Sequence, residues 1–202
     1  METMSYQPKA DEVKKLREAT SAPMMDCRQA LLEANGDFDK AKSVLQERGA
    51  AQAQKKSDRI TKEGLVASYI HAGGKIGVLV EVNTETDFVA RNPKFGDLTR
   101  DIAMHVAAMS PQYIDREDVP AEVIEAARAE LASAVPAGKP PEIAAKIVEG
   151  KLNKWYEEHC LLDQPFVKDD AMSVRDLINS VVGVLNENIK VRRFTKFALG
   201  DE

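Results

Sequence analysis

The segment GLVASYIHAGGKIGVLVEVN, residues 64–83, is where the chain changes its period. In its second half Ile76, Val78, Val80 and Val82 alternate with Lys75, Gly77, Leu79 and Glu81. Such alternation lays one side of an extended strand against a core. Gly73-Gly74 separates this run from the one before it, and a glycine pair suits a tight hairpin turn. The spacing predicts two strands, Gly64 to Ala72 and Lys75 to Asn83.

Before the hairpin the spacing is helical. Val13, Leu16 and Ala19 share a face of one helix, and a second runs from about Met24 to Ala34 behind Pro23, placed where a first helical turn tolerates the missing N–H. Gly36 suits a left-handed stop, and Asp37 can cap a third helix carrying Phe38, Ala41, Val44 and Leu45. Gly49 is expected to end that helix. The basic stretch Lys55, Lys56, Arg59 and Lys62 then reads as a linker that can be partly helical.

After the hairpin, Asn92-Pro93 opens a helix with Phe95, Leu98, Ile102, Val106 and Met109 on its inner stripe, and Ser110-Pro111 stops it. Helices are predicted from Pro120 to about Ala134 and from Glu142 to about Cys160, with a loop from Leu161 to Met172. Ser173 caps another helix, and a last strand is predicted from Ile189 to Leu199, with Ile189, Val191, Phe197 and Leu199 on one parity. Helices, a hairpin, more helices and a final strand make an α+β fold with a small antiparallel sheet. The expected divisions are a three-helix module at 1–50, a linker at 51–63 and an α+β core at 64–202.

Composition excludes several classes. The 28 basic and 33 acidic residues give a net charge of -5, which argues against a general nucleic-acid binder, since phosphate neutralisation supplies most of such affinity. No apolar run reaches the roughly 18–20 residues that a membrane span needs. Met1 to Ala10 carries neither an apolar export core nor an Arg-rich amphipathic pattern, so a cytoplasmic location is expected. Cys27 and Cys160 are not paired in a C-x-x-C motif, which speaks against a disulfide framework or zinc knuckle.

No self-contained active site emerges from the spacing. Gly73-Gly74-Lys75 lacks the Ser/Thr of a phosphate loop and is followed by a strand, not a helix. His159 and Cys160 are neighbours, and adjacent helical residues point about 100° apart. His71, His105 and His159 show no metal-ligand spacing, and no cofactor is expected. The chain therefore reads as a binding protein and not as an enzyme.

Two segments stand out for binding, and one histidine has to be weighed beside them. Met24 and Met25 open the second helix, and either could be core or adaptable apolar surface. Asp87 and Phe88 follow the hairpin: they can form a projecting acidic-aromatic wedge, or Asp87 can cap a short helix with Phe88 packed beneath it. His105 borders the buried stripe of its helix, the usual place of a hydrogen-bonded core-edge histidine.

Together these segments resemble the bacterial translation elongation factor Ts family. The resemblance rests on Val13 to Thr20 with Met24 to Leu31, and on Glu81 to Arg91, which match two signatures of that family in order. Ile102 to Ala108, Gly138-Lys139-Pro140 and Gln164-Pro165-Phe166-Val167 extend it over about Asp11 to Gly200. Ser21 and Pro23 stand where the family usually has glycines, Arg28 where it has a lysine, and Thr84 where a cysteine is common.

The resemblance implies a nucleotide-exchange factor for elongation factor Tu, with no chemistry of its own. It implies a ubiquitin-associated-like N-terminal module docking through Lys14, Arg17, Met24, Met25 and Arg28, and Asp87 with Phe88 disturbing the partner's magnesium site. Ile76, Gly77 and His105 would add contacts. It also implies the short form of the family, with one copy of the central subdomain and two chains pairing. An adaptor that uses only the first module, without exchange activity, is the alternative.

Overall fold

The computed structural model describes residues 6–136 and 138–200. The helices are α1 (Ala10–Thr20), α2 (Met24–Glu33), α3 (Phe38–Lys56), α4 (Asp87–Ala90), α5 (Pro93–Met109), α6 (Ala121–Ser133), α7 (Pro141–His159) and α8 (Val174–Leu185). The strands are β1 (Glu63–Ile70), β2 (Ile76–Thr84), β3 (Pro165–Phe166), β4 (Asp169–Ser173) and β5 (Ile189–Ala198). One sheet has the order β1-β2-β5, and β3 pairs with β4 in a separate antiparallel hairpin. The fold is α+β, as the sequence predicts.

The chain divides into two compact units. The first takes Met1–Val66, Glu81–Thr99 and Asp176–Lys190, and the second takes Ala67–Val80, Arg100–Arg175 and Val191–Glu202.

In the first unit, Val13, Leu16, Cys27, Ala30, Leu31, Ala34 and Ala41 form the core of the three N-terminal helices, with Tyr6 and Phe38 packed against it. Ala19 is exposed, because the buried line of α1 passes from Leu16 to the half-buried Thr20 at 3.6 spacing. Asp37 caps α3 by accepting from the Asp39 and Lys40 amides.

Gly49 does not end α3, which continues into the first part of the expected linker, as far as Lys56. The residue serves close packing: a Cβ on Gly49 would lie 3.1 Å from the Asn179 carbonyl oxygen of α8, and one on Gly183 would lie 3.6 Å from the Gly49 Cα. A glycine inside a helix costs only about 1 kcal/mol, and the backbone contact it permits offsets that. Pro and Gly are punctuation only where packing does not overrule them.

In the second unit the turn between β1 and β2 is closed by Gly74 N–H donating to the His71 carbonyl and His71 N–H donating to the Ile76 carbonyl, both at 2.9 Å. Gly73 and Gly74 adopt φ of 92° and 71°, as the glycine pair predicts. The expected loop from Leu161 to Met172 instead holds the β3–β4 hairpin, which is too short and too polar at Asp169-Asp170 to show a strand period. Arg175 closes this region by donating to Asp115 at 2.7 and 3.2 Å.

Two stripes differ from expectation. In α5, Phe95, Leu98, Ile102 and Val106 are buried, but Met109 at the helix end is exposed. In β5 the buried parity switches at two successive exposed residues, Arg192 and Arg193. Ile189 is buried, whereas Phe197 and Leu199 are 70% and 81% exposed. Among the described residues no helix is long and apolar enough to cross a membrane.

Candidate partner-binding surface

Strand β2 leads directly into the candidate wedge. Val78, Val80, Val82 and Thr84 are all buried, so the strand delivers the chain at Glu85-Thr86 in a fixed position. Thr86 is extended, with φ −128° and ψ 156°, and is the N-cap of α4, its hydroxyl accepting from the Val89 amide. Asp87 therefore occupies the first turn and is not the cap. Val89 and Ala90 are buried and hold the turn down, while Phe88 is 80% exposed. The projecting reading of Phe88 is the one the geometry gives.

Asp87 and Arg91 form an ion pair at 2.7 Å, with both side chains largely in solvent. Pairs of that kind contribute little to stability and are readily exchanged for other partners. Asp87, Phe88, Arg91, Asn92 and Pro93 border a shallow surface depression. Asn92 ends the approach by accepting the Lys94 amide at 2.9 Å, which opens α5.

The base of this projection is tied by a residue that the sequence reading did not single out. Glu187 accepts from the Thr84 hydroxyl at 2.9 Å, the Thr86 amide at 3.0 Å and the Thr86 hydroxyl at 2.7 Å. Burial by itself raises the Glu187 pKa, but the hydrogen bonds from Thr86 and Thr84 outweigh it, and the carboxyl lies below its ordinary value. Asn186-Glu187-Asn188 is a polar run between a helix and a strand, which signals a turn but not the partner about a hundred residues away.

The N-terminal residues also face solvent. Lys14, Arg17 and Arg28 are exposed, and Met24 and Met25 are 46% and 67% exposed. Neither methionine fills the core, since Cys27, Ala30 and Leu31 occupy the inward positions of α2. These residues belong to the same unit as Asp87 and Phe88.

Ile76, Gly77 and His105 belong to the second unit. Ile76 and Gly77 are half-buried, and a Cβ on Gly77 would meet the Ile70 Cδ1 at 3.0 Å. His105 is fully buried, in keeping with a hydrogen-bonded histidine at the edge of the helix's buried stripe. Its Nδ1 accepts from the Val167 amide at 3.2 Å, so Nε2 carries the proton and donates to Gln164 Oε1 at 2.9 Å. Burial lowers its pKa, and the Gln164 hydrogen bond only partly opposes that. The imidazole is a neutral support for the β3–β4 hairpin.

Among the described residues no group of three or more His, Cys, Asp or Glu side chains is placed to hold a metal ion. The exposed features are apolar and ionic side chains presented outward.

The family described as Elongation factor TS matches residues 38–201. Elongation factor Ts of Koribacter versatilis is 55% identical over 193 residues, covering 95% of this chain and 88% of that protein. Elongation factor Ts of Pseudothermotoga lettingae is 53% identical over 197 residues, covering 96% and 98%. That of Thermodesulfovibrio yellowstonii is 53% identical over 191 residues, covering 95% and 96%. With a match over most of its length and identities above half, this chain belongs to the elongation factor Ts family of translation elongation factors.

Proposed function

We propose that the chain is a guanine-nucleotide exchange factor for elongation factor Tu, acting by binding and without an active site of its own. The observation that carries this reading is Phe88, an aromatic side chain held almost wholly in solvent on a helical turn that is itself pinned from below. A large exposed aromatic beside a carboxylate is costly to leave in water and well suited to a pocket on a partner. Asp87 and Phe88 press between switch-region helices of the GTPase and disturb its magnesium site. Magnesium offsets phosphate charge, so loss of its ligands weakens GDP binding without a covalent step. The coupling is reciprocal: a protein that prefers the empty GTPase must itself be displaced by nucleotide.

The N-terminal helices, as a ubiquitin-associated-like module, dock through Lys14, Arg17, Met24, Met25 and Arg28, whose exposure supports the assignment. Ile76 and Gly77 add contacts from the second unit. The chain works in the cytoplasm and pairs as a homodimer. Ile70, Leu79, Phe197 and Leu199, between 47% and 81% exposed, give the second unit an apolar surface that a second copy would cover.

The test is release of fluorescent GDP from elongation factor Tu. Acceleration that collapses in the Asp87→Ala/Phe88→Ala double variant supports exchange and wedge together. Binding without acceleration gives the adaptor.

A further inference from the structure

We infer that Glu187 is a positioning residue for the Asp87–Phe88 projection, fixing the cap on which the turn depends; this rests on the exchange reading above.

The argument starts from the size of α4. It has four residues, Asp87–Ala90, too few to support itself, since the first helical turn fixes three residues for one hydrogen bond. Something outside the turn must hold it. Val89 and Ala90 anchor its underside, but they do not set the direction in which the turn begins. That is set at Thr86, whose hydroxyl caps the Val89 amide at 3.4 Å.

A hydroxyl has one proton and two lone pairs, and an ionised carboxylate only accepts. Because Thr86 Oγ1 lies 2.7 Å from Glu187 Oε1, its proton goes to Glu187, and a lone pair is left for the Val89 amide. Glu187 thus sets the polarity of the cap. Its other oxygen takes the Thr86 amide and the hydroxyl of Thr84, a side chain with no exposure at all. With Glu187 gone, three donors lose their acceptor at the root of the projection.

The loop that carries Glu187 is fixed in turn. Asn186 has φ 59° and its amide closes α8 on the Val182 carbonyl at 2.8 Å. Asn188 Nδ2 donates to the Ser57 and Arg59 carbonyls at 3.2 and 2.9 Å. The Asn188 amide donates to Glu85 at 2.7 Å, so each segment lends a carboxylate to the other. This reciprocal clasp, and not the chain's local sequence, aims Phe88.

The test combines two readouts on the full chain: release of fluorescent GDP from the partner GTPase, and hydrogen exchange of the Val89, Ala90 and Arg91 amides in the free protein. Glu187→Ala is expected to speed exchange of those amides about tenfold or more, with core amides such as Leu31 unchanged, and to slow GDP release about fivefold or more. In a Phe88→Ala background the same change is expected to slow release less than about twofold. Glu187→Gln keeps the volume and one acceptor, and is expected to fall between Glu187→Ala and the parent in both readouts. Unchanged amide protection in Glu187→Ala overturns the inference, as do losses that multiply with those of Phe88→Ala. If Glu187→Ala does not fold, parental protection and release in Glu187→Gln overturn it. If Phe88→Ala accelerates release as the parent does, the wedge falls while exchange stands, and amide protection alone decides on Glu187.

Discussion

Asp87 and Arg91 close an ion pair across one turn of α4, at 2.7 Å and with both side chains mostly exposed. The pair masks the carboxylate that stands beside Phe88 without burying it. An exposed i,i+4 pair is worth about 0.3–0.5 kcal/mol. Arg91→Gln is therefore expected to leave thermal stability almost unchanged and exchange within about twofold of the parent. A loss beyond tenfold, measured by GDP release, means that Arg91 itself touches the partner.

Phe88 and Val89 are neighbours with opposite surroundings, 80% and 4% exposed. Phe88→Ala is expected to keep the melting temperature and cost the complex about 2 kcal/mol or more, roughly thirtyfold in affinity. Val89→Ala is expected to do the reverse, lowering stability by about 1–2 kcal/mol through lost burial and a small cavity. Calorimetric binding and thermal melting of both variants check the pair.

For Met24 and Met25 the exposures predict a surface effect. Replacing both by alanine is expected to weaken partner binding by about 1–2 kcal/mol while changing the unfolding midpoint little. A large fall in stability would return one of them to the core.

Gly49 predicts the opposite kind of outcome. Its Cβ position faces backbone of α8, which cannot rotate away like a side chain. Gly49→Val is expected to destabilise the protein by about 1–3 kcal/mol, seen in denaturant unfolding.

His105 gives a pH dependence. Its folded-state pKa lies below the ordinary histidine value because the ring is buried, with the Gln164 hydrogen bond opposing. The unfolded chain therefore takes up the proton first. The contribution to stability is full above about pH 6.5 and is lost as pH falls through the folded pKa. Unfolding midpoints at about pH 7.5 and 5.5 are expected to show lower stability on the acid side, and His105→Gln to show a smaller difference.

Much of this was legible from residue patterns. The hairpin, the stripe of α5 and the three N-terminal helices follow from spacing, because one-sided burial writes a period into a chain. The projection was legible only in part: Asp87-Phe88 was identifiable as a candidate, but residue patterns did not decide that Thr86 is the cap or that Phe88 projects. Glu187 left no local signal, since its partners are contributed by tertiary structure. Gly49 misled for a related reason, as the same residue that ends an isolated helix also lets two helices touch. The β5 apolar residues kept their sequence positions but changed sides at Arg192-Arg193, which no alternation rule anticipates.

The continuation of α3 to Lys56 changes how the N-terminal helices and the projection act together. Asn188 holds the carbonyls of Ser57 and Arg59, just past the helix end, and is the neighbour of Glu187. On the proposed reading, a partner that grips the methionine face meets Phe88 within the same compact unit and not at the end of a tether. The second contact then requires no search by a flexible segment, so its effective concentration depends on whether the spans match. Such a frame behaves as a caliper: it rewards a partner of the right separation and gives a mismatched one no room for compromise.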